Sequence, residues 1–165
     1  MSERKYIGGI KTWPRCWFIE FAFKLKSVKN TLQNIFQITK KGDPNGKFPT
    51  VFLRPNSNRL KIEYSIDSII PVISDNQVYI QLNQYNHLRI ENRYIDTFTF
   101  RFRIIIDNIV KKEIIYYTND FLEFSDVEVY RSSNNEASNA LIKNFIYGAF
   151  KSQPGKEEGK KNFMR

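Results

Sequence analysis

The sequence predicts an all-β fold, an antiparallel two-sheet β-sandwich of the jelly-roll kind. Three observations carry that prediction. Apolar residues recur at every second position through several long runs, which is the period of a strand with one face buried. Turn-forming residues punctuate these runs at the short, regular intervals of a sandwich. The chain also holds 14 Phe and 9 Tyr in 165 residues, and aromatic and β-branched residues suit a pleated, half-buried surface.

The clearest opening strand places Trp17, Ile19, Phe21, Phe23 and Leu25 on one face. Phe18, Glu20, Ala22, Lys24 and Lys26 lie on the other. Residues 34–39 and 48–53 follow as apolar strands. The strongest loop signal of the chain, Lys41-Gly42-Asp43-Pro44-Asn45-Gly46, separates them. Arg54-Pro55-Asn56-Ser57-Asn58 then connects to a strand with Leu60, Ile62, Tyr64 and Ile66 facing inward. Ser74-Asp75-Asn76 marks another turn. Beyond it, Leu88 and Ile90 alternate with His87, Arg89 and Glu91. Phe98, Phe100, Phe102, Ile104 and Ile106 oppose Thr99, Arg101, Arg103, Ile105 and Asp107, and Asp107-Asn108 reads as a hairpin turn. Val127 and Val129 alternate with Asp126, Glu128 and Tyr130. Residues 132–135 open a longer loop, and residues 136–140 have the composition of one helical turn. The count is about ten to twelve strands. Residues 1–150 read as one domain, and residues 151–165, with Pro154, two glycines and clustered lysines, as a flexible basic tail.

The order of the pieces resembles the laminin-G-like modules of animal extracellular proteins, within the concanavalin A-like lectin/glucanase superfamily. Residues 17–23 resemble their opening strand. Asn34-Ile35-Phe36-Gln37-Ile38-Thr39 is similar to a recurrent "NI-hydrophobic-x-hydrophobic-T" strand, and residues 48–53 to an "R-x-P-x-hydrophobic" strand. Residues 82–88 resemble an "L-x-x-W-x-x-hydrophobic" entry with Tyr85 in place of Trp. Residues 102–107 resemble a "Y-x-I-x-hydrophobic-N/D-G" hairpin, with Asn108 in place of Gly. Phe124-Ser125-Asp126-Val127-Glu128-Val129-Tyr130 resembles "F-x-N/D-V-x-V-Y", and residues 142–145 the closing segment. The resemblance spans residues 13 to 147. It implies the sandwich fold and an extracellular setting. No cofactor is expected; the alternative is calcium, which this superfamily often carries in loops. Asp43 and Asp75, and also Asn45 and Asp107, are candidates by residue type that read equally as turn formers.

The residues exclude more chemistry than they assign. His87 is the only histidine, so neither a histidine metal cluster nor a Ser-His-Asp relay is visible. A glycosidase on this sandwich needs carboxylates at every second strand position. Asp126 and Glu128 satisfy that spacing, but Glu123 is out of phase. The expectation is therefore a chain that is not an enzyme. Cys16 is the only cysteine, which forbids an internal disulfide, and its place beside Trp17 reads as a small buried apolar residue. No run approaches the roughly 20 apolar residues of a membrane helix, and residues 1–5 lack the apolar stretch of a signal peptide.

The formal net charge is +9, which favours acidic partners. Nucleic acid is disfavoured because the aromatic and basic residues alternate onto opposite strand faces. Outward Arg101 and Arg103, with Arg89 and Arg93 on a neighbouring strand, form a basic stripe that suits sulfated glycans or acidic proteins. The bland alternative is a solvated face balanced by Glu91 and Glu63. Tyr85 and Asn83 add an aromatic platform and an amide of the kind that recognises sugar hydroxyls. The expected ligand-binding residues are Tyr85, Asn83, Arg89, Arg101 and Arg103. The expected function is a binding module for a carbohydrate, anionic glycans included, or for a protein. The alternative is a structural or interaction domain of a larger extracellular protein, without a small-molecule site.

Overall fold

The computed structural model describes residues 4–41, 48–64, 78–96, 98–118, 124–132, 140–150 and 157–162. Within them run β1 (Arg4–Trp13), β2 (Trp17–Lys24), β3 (Gln33–Lys40), β4 (Thr50–Leu53), β5 (Leu60–Glu63) and β6 (Tyr85–Asp96). The remaining strands are β7 (Thr99–Ile106), β8 (Ile109–Tyr117), β9 (Phe124–Ser132), β10 (Leu141–Phe150) and β11 (Glu157–Asn162). All named pairs are antiparallel. One sheet has the order β1-β9-β3-β4-β5 and the other β11-β10-β2-β6-β7-β8. Five of the nine named neighbouring pairs are consecutive in sequence, but β1-β9, β9-β3, β10-β2 and β2-β6 join distant segments, so the sandwich closes only when both ends of the chain are in place.

The alternation read from the sequence is the alternation of burial. Ile19, Phe21, Phe23 and Leu25 are wholly buried, as are Leu88, Ile90, Phe102 and Ile104 on the neighbouring strands of the same sheet. They meet Ile35, Phe36, Ile38, Val51, Leu60, Val127 and Val129 of the other sheet in one continuous core. Aromatic rings tie the two layers together. Phe21 packs against Phe36 at 4.9 Å between centroids, and Phe36 against Phe145 at 5.2 Å. Trp17 meets Tyr64 edge-on at 5.4 Å, and Tyr64 stacks on Phe102 at 5.1 Å.

The turn residues also behave as their chemistry dictates. Asp107 and Asn108 both take positive φ, 50° and 65°, the pair of left-handed conformations that a two-residue hairpin needs. Asp107 Oδ1 accepts a hydrogen bond from the His87 amide at 2.8 Å. This aspartate is thus a turn former that also ties β6 to the hairpin. Asn86 is wholly buried and closes the loop before β6, donating to the carbonyls of Gln81 and Gln84 while accepting from the Gln81 amide.

Several elements differ from the sequence reading or extend it. β1 carries no clean alternation, because Gly8 and Gly9 interrupt it and the register against β9 shifts between Tyr6 and Gly8. Within the segment read as a tail, Glu157–Asn162 pairs with β10 as an edge strand. The loop centred on Asp43, the turn at Asp75, the carboxylate of Glu123 and residues 136–139 of the helical turn read at 136–140 lie outside the described residues, as do residues 65–66 of the strand that starts at Leu60.

Cys16 is buried against Phe18, Phe100 and Phe150, and burial pushes its thiol above the ordinary range. Burial also raises the phenols of Tyr64 and Tyr147, Tyr64 despite the hydrogen bond from Trp17. Both tyrosines stay neutral in the folded state at pH values where the unfolded chain ionises them. Their contribution to stability is therefore complete below pH 10, the ordinary phenol value, and is lost as pH rises above it. For Tyr64 the loss is about 1.4 kcal/mol per pH unit. Urea unfolding between mildly and strongly alkaline pH should show this fall, and Tyr64→Phe should make the slope shallower.

Candidate functional site

The outer face of the six-stranded sheet gathers most of the residues singled out in the sequence. Odd-numbered residues of β6 point outward, and the register sets Glu91 beside Phe18 on β2 and beside Arg103 on β7. Arg89 lies beside Glu20 in the next outward row, and Arg93 lies beside Arg101 in the row on the other side of Glu91. Strand periodicity alone delivers these side chains to one surface, because every second residue shares a face.

Glu91 is the hub of this surface. Its side chain is only 3% exposed, and it lies 3.0 Å from Arg89 Nε, 3.2 Å from Arg93 Nε and 3.8 Å from Arg103 Nη1. Glu20 holds the far side of Arg89, accepting from Nη1 at 2.8 Å, and also pairs with His87 Nε2 at 3.0 Å. Arg103 reaches Glu113 on β8 as well. The balancing carboxylates are thus Glu91, Glu20 and Glu113. Glu63 plays no part, because it sits on β5 of the opposite sheet, paired with Lys61.

Two aromatic rings complete the surface. The Arg89 guanidinium lies 4.1 Å from the Phe18 ring centroid, and that of Arg93 lies 4.1 Å from Phe150. Phe18 is an outward-facing residue of β2, yet only 1% exposed. Phe150 packs against it at 5.2 Å between centroids and the Arg89 guanidinium sits over its ring, a cation–π contact.

Arg101 stands apart. Its cross-strand neighbours are Arg93 and Ile115, and among the described residues no carboxylate pairs with it. Its Nε is buried without a hydrogen-bond partner. Like charges directly opposite each other on adjacent strands repel, so Arg93 and Arg101 leave a positive site that an anion would neutralise.

Of the five ligand-binding residues expected from the sequence, Arg89, Arg101 and Arg103 come together here. Tyr85 shares their face, four residues before Arg89 on β6, roughly 13 Å along an extended strand. It is 43% exposed, and Lys143 Nζ sits 3.6 Å from its ring centroid. Asn83 is a turn residue with φ of 64°, its amide donating to the Leu25 carbonyl at 2.7 Å. Neither is part of the arginine surface. Sequence reading missed the roles of Glu20, Glu113, Phe18 and Phe150, which come from strands remote in sequence. Only the phase of Glu20 and Phe18 on β2 carried a signal. No group of three metal-ligating side chains assembles among the described residues, and no helix there is long and apolar enough to cross a membrane.

Glu91 is buried among three guanidiniums, so neutralising it leaves like charges crowded with less compensation. Glu91→Gln should lower the unfolding free energy by about 2 kcal/mol, since the arginines remain partly solvated and Arg89 keeps Glu20. Chemical denaturation of the two proteins measures this directly.

No protein-family model matches the chain, and no curated protein matches it in sequence. Solved structures do match in fold. A heptameric SAP-like pentraxin from Limulus polyphemus superposes with a TM-score of 0.56 and 12% identity, over 86% of this chain and 67% of that one. An endo-β-1,4-glucuronan lyase from the fungus Trichoderma reesei gives 0.55 and 13%, over 82% of this chain and 65% of the lyase. Sheep galectin-11, in complex with glycerol, gives 0.51 and 8%, over 88% and 96%. The chain spans just under two thirds of the lyase's length. These likenesses show the jelly-roll β-sandwich fold and do not show a laminin-G-like module. They also overturn the expectation that the chain is not an enzyme. A polysaccharide lyase is built on this same sandwich, so the missing carboxylate trio does not separate a binder from a catalyst.

Proposed function

We propose that the chain is a carbohydrate-binding module whose outer six-stranded face takes acidic polysaccharides. The observation that carries this reading is Arg101, buried at Nε without a partner and set directly across from Arg93. A carboxylate or sulfate placed between the two guanidiniums would satisfy both, with the fork geometry that favours arginine over lysine for such groups. Arg89 and Arg103, already held by Glu20, Glu91 and Glu113, extend the polar surface along two strands. Arg89 and Arg93, each held 4.1 Å from an aromatic ring centroid, Phe18 and Phe150, lose little side-chain freedom when a chain settles on them. The net charge of +9 adds long-range attraction for a polyanion. The fold likeness to a galectin and to a glucuronan lyase supports a saccharide as the ligand, and the lyase by its name acts on a polymer of a uronic acid.

Heparin and polyglucuronate, with neutral dextran as control, separate the outcomes. The chain should be retained on the two acidic polymers at low salt and released as salt rises. The double change Arg101→Ser, Arg103→Ser should abolish retention, whereas Arg101→Lys should weaken it. Equal retention of the double variant, or no retention on either acidic polymer, would remove the arginine face as the site and leave an interaction domain without a saccharide ligand there.

A further inference from the structure

The opposite sheet carries a separate cleft that the arginine face does not touch. It lies where β1 pairs with β9, has a volume of about 270 Å³, and is lined by Tyr6, Gly9, Lys11, Lys41, Asp126 and Glu128 together with Ile10 and Val127. The local sequence builds it. Glu128 and Tyr130 alternate with the buried Val127 and Val129 and so face outward. Across from Glu128 the register places Gly9, which has no side chain to cover it. A Cβ on Gly9 would meet the Tyr6 hydroxyl at 3.1 Å, so the glycine lets the tyrosine lean across the strand. Tyr6 is 55% exposed and is braced edge-on against Tyr130 at 5.8 Å.

The charged groups around this cleft do not close on one another. Tyr130 donates to Glu128 Oε2 at 2.7 Å and fixes that carboxylate. The Lys41 amide donates to the Asp126 carbonyl at 2.9 Å, which pins Lys41 beside Asp126. Asp126 itself takes a positive φ of 53°, a turn in the strand that sets its backbone apart from regular alternation. Lys11 and Lys41 form no ion pair with Asp126 or Glu128, although all four line one cavity. An anion would meet the carboxylates there and a cation the lysines. A neutral polyhydroxylated ring suits both signs at once, because its hydroxyls donate to carboxylates and accept from ammonium groups. The exposed Tyr6 ring supplies the apolar platform for the face of such a ring. The volume lies just below the range of drug-sized pockets, which limits the occupant to one ring.

We propose that this cleft is a second saccharide site, on the opposite face of the sandwich, that seats a single neutral hexopyranose unit on Tyr6 with Asp126, Glu128, Lys11 and Lys41 as hydroxyl partners. It stands independently of the acidic-polymer reading, since it uses the other sheet. Titration of the ¹⁵N-labelled full chain with the methyl glycosides of glucose, galactose and mannose tests it. At least one should give saturating amide shifts centred on Gly9, Lys11 and Glu128. Gly9→Val, which fills the cleft, and Tyr6→Ala, which removes the platform, should each weaken that binding tenfold or more. The double change Arg101→Ser, Arg103→Ser should leave it unaltered. Absence of saturating shifts with all three glycosides, or equal affinity in Tyr6→Ala, overturns the proposal. Shifts at these amides with free alanine but with no glycoside would assign the cleft to a zwitterion and overturn it equally.

Discussion

The contact between the two sheets is the constraint on which everything else rests. Neither sheet can shield its inner face alone, and each has an aromatic seam that matches the other. Phe21 and Phe145 from one layer enclose Phe36 from the other, while Tyr64 bridges Trp17 and Phe102. Trp13 extends the seam at one end, stacked on Tyr147 at 5.3 Å and tilted against Trp17. Large rigid rings bury much area for little lost rotamer freedom and pack well only in particular orientations. They therefore set the spacing of the layers, and with it the phase that turns every second residue outward.

That phase makes the outer surface of the six-stranded sheet a consequence of the core. Once Leu88, Ile90, Phe102 and Ile104 are committed inward, Arg89, Glu91, Arg101 and Arg103 have no alternative but the other face. Four outward arginines on two adjacent strands would repel one another. Glu91 resolves most of this by lying between three of them, and Phe18 and Phe150 take up the planar faces of two. Among the described residues the compensation stops short of Arg101, whose Nε has no hydrogen-bond partner.

The strands with strict alternation were legible because burial on one face leaves a period of two in the residues themselves. β2, β6 and β7 are of this kind, and so was the Asp107-Asn108 hairpin, whose two positive φ values follow from the residue types. β1 was not legible, since its glycines and register shift erase the period. The arginine stripe was visible in outline, but its meaning depended on partners from β2, β8 and β10. No local pattern reports that Glu20, more than sixty residues earlier, closes on Arg89, or that Phe150 lies under Arg93.

The sequence by itself determined the fold class, the inward face of the strongest strands and the side on which the arginines emerge, because these depend on periodicity and local turn chemistry. The tertiary structure alone decided which strands are neighbours and which arginines the carboxylates of the described residues neutralise. It also separated Tyr85 and Asn83 from that surface and joined Tyr6 to Asp126 and Glu128 across β1 and β9. Strand order in an antiparallel sandwich is a property of long-range pairing, and the residues that meet across it carry no mark of one another in the chain.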